Sequence, residues 1–152
     1  MKPEYITDAF LNHFITSSIA EDVGEADHST LASIPAEARS AAQLLAKDEG
    51  VVAGVELAEY IFRAADPALQ VDVLIQDGMT IRRGDVILTV SGSARSILTI
   101  ERLVLNCMQR MSAIASKTRH YTTLISGTGA PEAFMFGCGR VECNSDGGAA
   151  GG

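Results

Sequence analysis

No stretch of this chain holds eighteen uninterrupted apolar residues, so no membrane-spanning helix and no membrane partner are expected. The N-terminus, Met1-Lys-Pro-Glu-Tyr-Ile-Thr-Asp8, lacks the apolar segment of a secretory signal, which makes the cytoplasm the expected location. Basic residues are few: 12 Lys and Arg stand against 19 Asp and Glu, a formal net charge of −7. Duplex nucleic acid needs a broad cationic face, so nucleic acid is not an expected partner. Cysteine is scarce and odd in number, at three. Cys107 lies inside an apolar helical run and reads as a small buried hydrophobe. Cys138 and Cys143 have neither a nearby His nor a second Cys pair, which argues against a four-ligand structural zinc site. Also missing are GxxxxGK[ST], GxGxxG, HExxH and GxSxG, and with them the phosphate-loop, dinucleotide, zinc-protease and serine-hydrolase readings.

What is present is globular. Apolar residues make up 47% of 152 and charged residues 20%, enough for one ordinary domain or a small domain with a fragment of another. The charge is uneven. Residues 1–92 carry 6 basic and 15 acidic side chains, residues 93–130 carry 5 and 1, and the last 22 carry 1 and 3. A basic helical segment in an acidic protein suits a small anionic ligand gripped by local arginines. That segment, Thr99 to Ser112, is apolar apart from a stripe of Arg102, Asn106 and Gln109, spaced i, i+4, i+7 and so on one helical face. A cation there is either paired in a core or aimed at an anion.

Along the chain, Asp8 to Ala20 has helical spacing of Phe10, Leu11, Phe14, Ile15 and Ile19, with Thr7 or Asp8 as N-cap. An acidic loop, Glu21 to Thr30, follows, with Gly24 as a helix stop. Ala41 to Lys47 and Val51 to Ala53 read as a strand pair around Asp48-Glu49-Gly50, and Val55 to Ala65 as a helix closed by Asp66-Pro67. Leu69 to Ile75, Met79 to Ile81 and Val86 to Val90 read as strands, divided by Asp77-Gly78 and by Arg82-Arg-Gly-Asp85. The expected class is α+β: an antiparallel sheet with two helices in the first ninety residues. Ala94 to Ile125 is helical, with Ser93 as N-cap. Its length and the run Ser112-Ala-Ile-Ala-Ser116 suggest a break into two helices. Pro131 to Gly152 has no sustained period and reads as a disordered tail.

Other candidates are weaker. His28, with Asp22, Asp27 and Ser29, could form a metal or acid/base cluster, although a loop capped by its own Asp and Ser side chains is the simpler account. His13 and His120 have no visible partners, and Gly127-Thr-Gly129 reads as a turn. The segment Asp77 to Leu88 resembles the hairpins of lipoyl- and biotinyl-carrier domains but lacks their tip lysine.

Four elements occur in order: the loop Ala20 to Thr30, the strand and turn Lys47-Asp-Glu-Gly-Val-Val-Ala-Gly54, the hairpin Asp77-Gly78 to Val90-Ser-Gly92, and Glu101-Arg-Leu-Val-Leu-Asn-Cys-Met-Gln-Arg-Met-Ser-Ala-Ile-Ala115. Over about residues 5–130 this succession resembles the quinolinate phosphoribosyltransferases, or carboxylating nicotinate-nucleotide pyrophosphorylases. The resemblance implies an N-terminal α/β sandwich leading through helices into an α/β barrel. Residues 1–112 would be the sandwich, 113–130 the start of the barrel domain and 131–152 a divergent tail. It also implies a reaction of NAD biosynthesis, in which quinolinate and phosphoribosyl pyrophosphate with Mg²⁺ give nicotinate mononucleotide, pyrophosphate and CO₂. The family is dimeric, and the arginine matching Arg102 holds quinolinate in the neighbouring subunit's site.

The sequence also departs from the family pattern. After Ser126-Gly-Thr-Gly-Ala130 the Asp-Thr-Arg-Lys-Thr motif gives way to Pro131-Glu-Ala-Phe-Met-Phe-Gly-Cys-Gly139, and Ala113 replaces a glycine common in the family. The barrel's cations and the acidic residues for Mg²⁺ and ribose are absent. The expectation is thus a truncated, inactive fragment that binds no Mg²⁺, keeps Arg102 and pairs with itself or a full-length relative. Without the barrel, an apolar face of helix 94–114 is expected to be exposed. The alternative is a non-catalytic dimerisation or binding module.

Overall fold

In a computed structural model the residues described are 7–23 and 34–127. The chain divides into two compact units, residues 1–116 and 117–152. The elements are α1 (Asp8–Val23), β1 (Arg39–Leu45), β2 (Gly50–Val51), α2 (Val55–Ala65), β3 (Gln70–Val73), β4 (Thr80–Ile81), β5 (Val86–Ser93) and α3 (Ala94–Ile125). The class is α+β, as expected.

Three strands form an antiparallel sheet in the order β1-β5-β3, with β5 in the centre, and β2 and β4 form a separate two-stranded ribbon. Ala42 faces Val90 and Val71 faces the same Val90 from the other side, so the central strand is covered on both edges. The expected pairing of residues 41–47 with 51–53 is not formed, and the reason is where the backbone groups go. β1 runs along β5, and at its end Ala46 N–H donates to Asp85 O (2.9 Å) while Gly84 N–H donates to Ala46 O (2.9 Å). The turn at Arg82–Asp85 has therefore taken the partners that a β1–β2 hairpin would need. Beyond Asp48-Glu49 the chain pairs elsewhere, Gly50 opposite Ile81 and Val51 opposite Thr80.

The helices start where side-chain oxygens are available. Thr7 caps α1, its Oγ1 accepting from Phe10 N–H at 3.2 Å, and Leu11 and Ile15 bury one face of the helix. The helix runs to Val23. Gly24, the cluster around His28 and the tail from Pro131 lie outside the described residues.

α2 starts and stops as read from the sequence, but its cap is remote. Gly54 stands at its N-terminus with φ 96° and has no capping side chain. Asp77, from the turn after β3, supplies the cap: Oδ1 accepts from Val55 N–H (2.8 Å) and Oδ2 from Glu56 N–H (3.1 Å). A carboxylate at a helix N-terminus also opposes the positive end of the helix dipole.

The core of the first unit lies between the sheet and the three helices. Ile15, Ile61, Leu88, Ile100, Val52 and Val104 are almost completely buried. α3 contributes a seam of Ile97, Ile100, Leu103, Val104 and Met108 at helical spacing. This helix is continuous through residues 112–116, where a break was expected. The serines there bond outward to another segment instead of competing for their own helix backbone, and the intervening alanines favour helix. In the second unit the described residues continue the helix to Ile125, with Thr123 Oγ1 donating to Arg119 O at 2.9 Å.

Candidate functional site

The site begins with the helix that carries the polar stripe. Ser93 caps α3, its Oγ accepting from Ser96 N–H at 3.3 Å. Two further contacts fasten the first turn: Ala94 N–H donates to Ala38 O (2.8 Å), and the Arg95 guanidinium grips Ile34 O through Nε (2.8 Å) and Nη2 (2.6 Å). Ser96 Oγ donates to Asp66 Oδ2 at 2.8 Å. Asp66 also accepts from Ala68 N–H at 2.9 Å. That backbone bond first, then the Ser96 hydroxyl, holds the Asp66 carboxyl below its ordinary value of 3.8.

With the apolar seam of α3 facing the sheet, Arg102, Asn106 and Gln109 stand exposed on the outer face. Arg102 is no core ion pair. Its neighbour Glu101 is exposed as well, and among the described residues Arg102 has no hydrogen-bond or ion-pair partner. Leu98 (43% exposed) and Leu105 (45%) flank Arg102 at i−4 and i+3, so the cation sits between two uncovered leucines. Part of the expected exposure of this helix is therefore real, on the face away from the sheet.

A groove of about 590 Å³ lies beside the stripe, between α3 from Leu105 to Ser116 and the turn that links β1 to β2. Gln109, Ser112 and Ser116 line one wall, and Leu45, Lys47 and Glu49 belong to the other. Arg102 is not among the lining residues. The structure thus brings Gln109 to a groove and leaves Arg102 on the open face.

The remaining candidates do not converge. His13 is exposed on α1, and His120 is exposed with its ring centroid 5.7 Å from that of Tyr121. Cys107 is half-buried against the core, in keeping with a small hydrophobe. Among the described residues no group of three or more His, Cys, Asp or Glu could hold a metal ion. Nor is any described helix long and apolar enough to cross a membrane.

Ser112 and Ser116 do more than the sequence reading assigned to them. Ser116 Oγ accepts from Val51 N–H at 2.8 Å, and Ser112 Oγ accepts from Ala53 N–H at 3.0 Å. Their i, i+4 spacing on the face toward the core was the available signal.

Residues 27–112 match the family model of the quinolinate phosphoribosyl transferase N-terminal domain, a span that contains the β-sheet, α2 and Arg102. The chain belongs to this family. It is 44% identical over 110 residues to a chloroplastic nicotinate-nucleotide pyrophosphorylase [carboxylating] of Oryza sativa subsp. japonica, a match covering 72% of this chain and 30% of that protein. It is also 44% identical over 110 residues to quinolinate phosphoribosyltransferase [decarboxylating] 1b of Nicotiana tabacum, covering 72% and 31%. The fold superposes on the crystal structure of NadC from Streptococcus pyogenes with a TM-score of 0.76 at 32% identity, covering 80% of this chain and 43% of that one. The chain therefore spans about a third of the length of these plant relatives.

Proposed function

We propose that this chain supplies the sandwich domain of a quinolinate phosphoribosyltransferase, and that Arg102 reaches from it into a neighbouring subunit's pocket to hold quinolinate. The observation that carries this reading is Arg102 itself: an exposed guanidinium, inside the family-matched span, with no acid partner among the described residues. A planar fork of donors matches a carboxylate, and quinolinate has two. The uncovered Leu98 and Leu105 favour protein, not solvent, over this face. A partner that covered them would also desolvate the cation and strengthen its grip on an anion. A second copy or a full-length family member is the expected partner.

The full reaction joins quinolinate to phosphoribosyl pyrophosphate and releases pyrophosphate and CO₂. In the family, Mg²⁺ accompanies phosphoribosyl pyrophosphate. No group of three or more His, Cys, Asp or Glu among the described residues could hold a metal ion, and no step is assigned through Mg²⁺. One arginine cannot place two substrates in register for reaction, so the role assigned here is substrate capture, without turnover by the 152-residue polypeptide alone.

The test mixes the chain with a full-length relative whose own matching arginine is replaced by alanine. Pyrophosphate release is then followed at varied quinolinate. Wild-type chain is expected to restore activity and the Arg102→Ala chain is not. Equal restoration by both, or by neither, refutes the role of Arg102. Turnover by the chain alone at a relative's rate refutes the limit to capture. A purely structural dimerisation module is favoured only by the exposed leucines, and it predicts association in light scattering with no effect of quinolinate.

A further inference from the structure

We infer that Ser112 and Ser116 are positioning residues that set the axial register of α3, and through it the height at which Arg102 is presented. The inference rests on the reading of Arg102 as a substrate-capturing side chain. Its structural half stands independently of that reading.

The apolar seam alone does not fix where a helix sits along its axis. Ridges of side chains repeat every three to four residues, so a slide of one turn, about 5.4 Å, offers similar grooves. Paired hydroxyls discriminate between such positions, since a slide of one turn leaves only one of two serines opposite a backbone partner and loses half of the hydrogen bonds. Ser112 and Ser116 each make two with the extended segment after Glu49. The Ser116 hydroxyl accepts from Val51 N–H (2.8 Å) and donates to Val51 O (3.5 Å). The Ser112 hydroxyl accepts from Ala53 N–H (3.0 Å) and donates to Ala53 O (3.2 Å).

The fit follows from two repeats. Four residues of helix advance about 6 Å and two residues of strand about 6.6 Å, so hydroxyls at i and i+4 meet alternate residues of a strand running the opposite way. A one-residue shift of either element removes both. The opposite edge of the segment is already occupied, since Val52 N–H donates to Met79 O (3.0 Å) and Gly78 N–H to Val52 O (2.8 Å). The segment is thereby held between the ribbon and the helix. Close approach depends on Gly50, where an added Cβ would fall 2.5 Å from Ser116 Oγ.

Arg102 lies between this clasp and the contacts at the start of the helix. It is ten residues from Ser112 and six from Ser96, whose hydroxyl is tied to Asp66. One turn of slip would carry the guanidinium about 5 Å, out of hydrogen-bond reach of a carboxylate placed to receive it.

The structural arm places nitroxides at Arg102→Cys and Gln70→Cys, with Cys107, Cys138 and Cys143 replaced by alanine, and measures the distance between them by pulsed EPR. A single narrow distribution is expected with both serines present. Ser112→Ala/Ser116→Ala is expected to broaden it or shift it by up to about one helical turn. Ser112→Ala alone should give a smaller change, and Ser112→Thr, which keeps the hydroxyl, should restore the narrow distribution. Helix content by circular dichroism identifies a variant that fails to fold, and the single Ser112→Ala then decides. An unchanged distribution in folded variants overturns the inference.

The functional arm uses the mixed dimer described above. Loss of the clasp is expected to raise the quinolinate KM about tenfold or more, with kcat and the phosphoribosyl pyrophosphate KM unchanged. A change in both substrates' KM, or in kcat alone, overturns the link to Arg102. If wild-type chain restores no activity, the reading of Arg102 has failed, and the EPR distances alone decide whether the serines set the register.

Discussion

Replacing Asp77 should cost far more than its exposed position in a turn suggests, because its carboxylate closes a helix that has no cap of its own. In Asp77→Ala two donors lose their partner. Glu56 is exposed and its N–H can turn to water, but Val55 is only 2% exposed and its N–H has no ready replacement. A donor left unsatisfied costs about 1–3 kcal/mol, and the lost charge at the helix N-terminus adds up to about 1 kcal/mol. With the exposed half discounted, the expected loss is about 2 kcal/mol, within the range of strong N-caps. For a unit near 110 residues that is a fall in Tm of roughly 8 °C. Asp77→Asn keeps one acceptor and should lose about half as much. The measurement is urea unfolding followed by far-UV circular dichroism, with the midpoint moving and the m value unchanged. Gly54 cannot compensate, since its φ of 96° and the Met111 Sδ only 2.9 Å from an added Cβ exclude a capping side chain there. A loss below about 0.5 kcal/mol for Asp77→Ala would show that water or a rearranged turn satisfies Val55, and the remote cap would have no energetic weight.

Gly50→Ala should destabilise by about 1–3 kcal/mol as overpacking against Ser116, and the penalty should shrink in a Ser116→Ala background; strictly additive losses in the double-mutant cycle would contradict that contact. Asp66 titrates below its ordinary value, so its contribution is complete above 3.8 and decays as the pH falls through the lower native value. Asp66→Asn should therefore flatten the acid limb of stability against pH below about 4, and an unchanged limb would exclude Asp66 as a contributor. Ile100→Ala should cost about 2–5 kcal/mol because the side chain is 1% exposed, whereas Arg102→Ala should stay within about 0.5 kcal/mol. A large loss in thermal unfolding of Arg102→Ala would make that residue structural.

Elements whose cause is local were readable from the residues. α2 is bracketed by Gly54 and by Asp66-Pro67, and its apolar positions recur at helical spacing, so its bounds follow from the chain. α1 and the long helix are recognisable for the same reason, and Arg102 stood out because a cation in an apolar helical run is conspicuous. The pairing of strands was less accessible. β1 and its neighbour in sequence look like a hairpin, yet the deciding hydrogen bonds run from Ala46 to the turn at Arg82–Asp85, almost forty residues on. Propensity says which residues extend. It does not say which distant carbonyl they meet.

The run from Ser112 to Ser116 shows the same dependence on distant partners and explains why a site can be half visible in the sequence. Within a helix a serine competes for its own backbone, which is why the run looked like a weak point. The competition disappears when another segment offers a donor and an acceptor at the matching repeat, and here Val51 and Ala53 do so. The same two residues then change from helix breakers into anchors, and a helix of 32 residues stays whole across them. Arg102 could be found from its own segment because its exposure and charge are properties of one helix face. What holds Arg102 in place could not, since it depends on a glycine and an extended backbone some fifty residues earlier. A binding residue on a long helix is therefore only as well defined as the contacts that stop the helix from sliding. In this chain those contacts are polar, directional and located at both ends of the segment that bears the arginine.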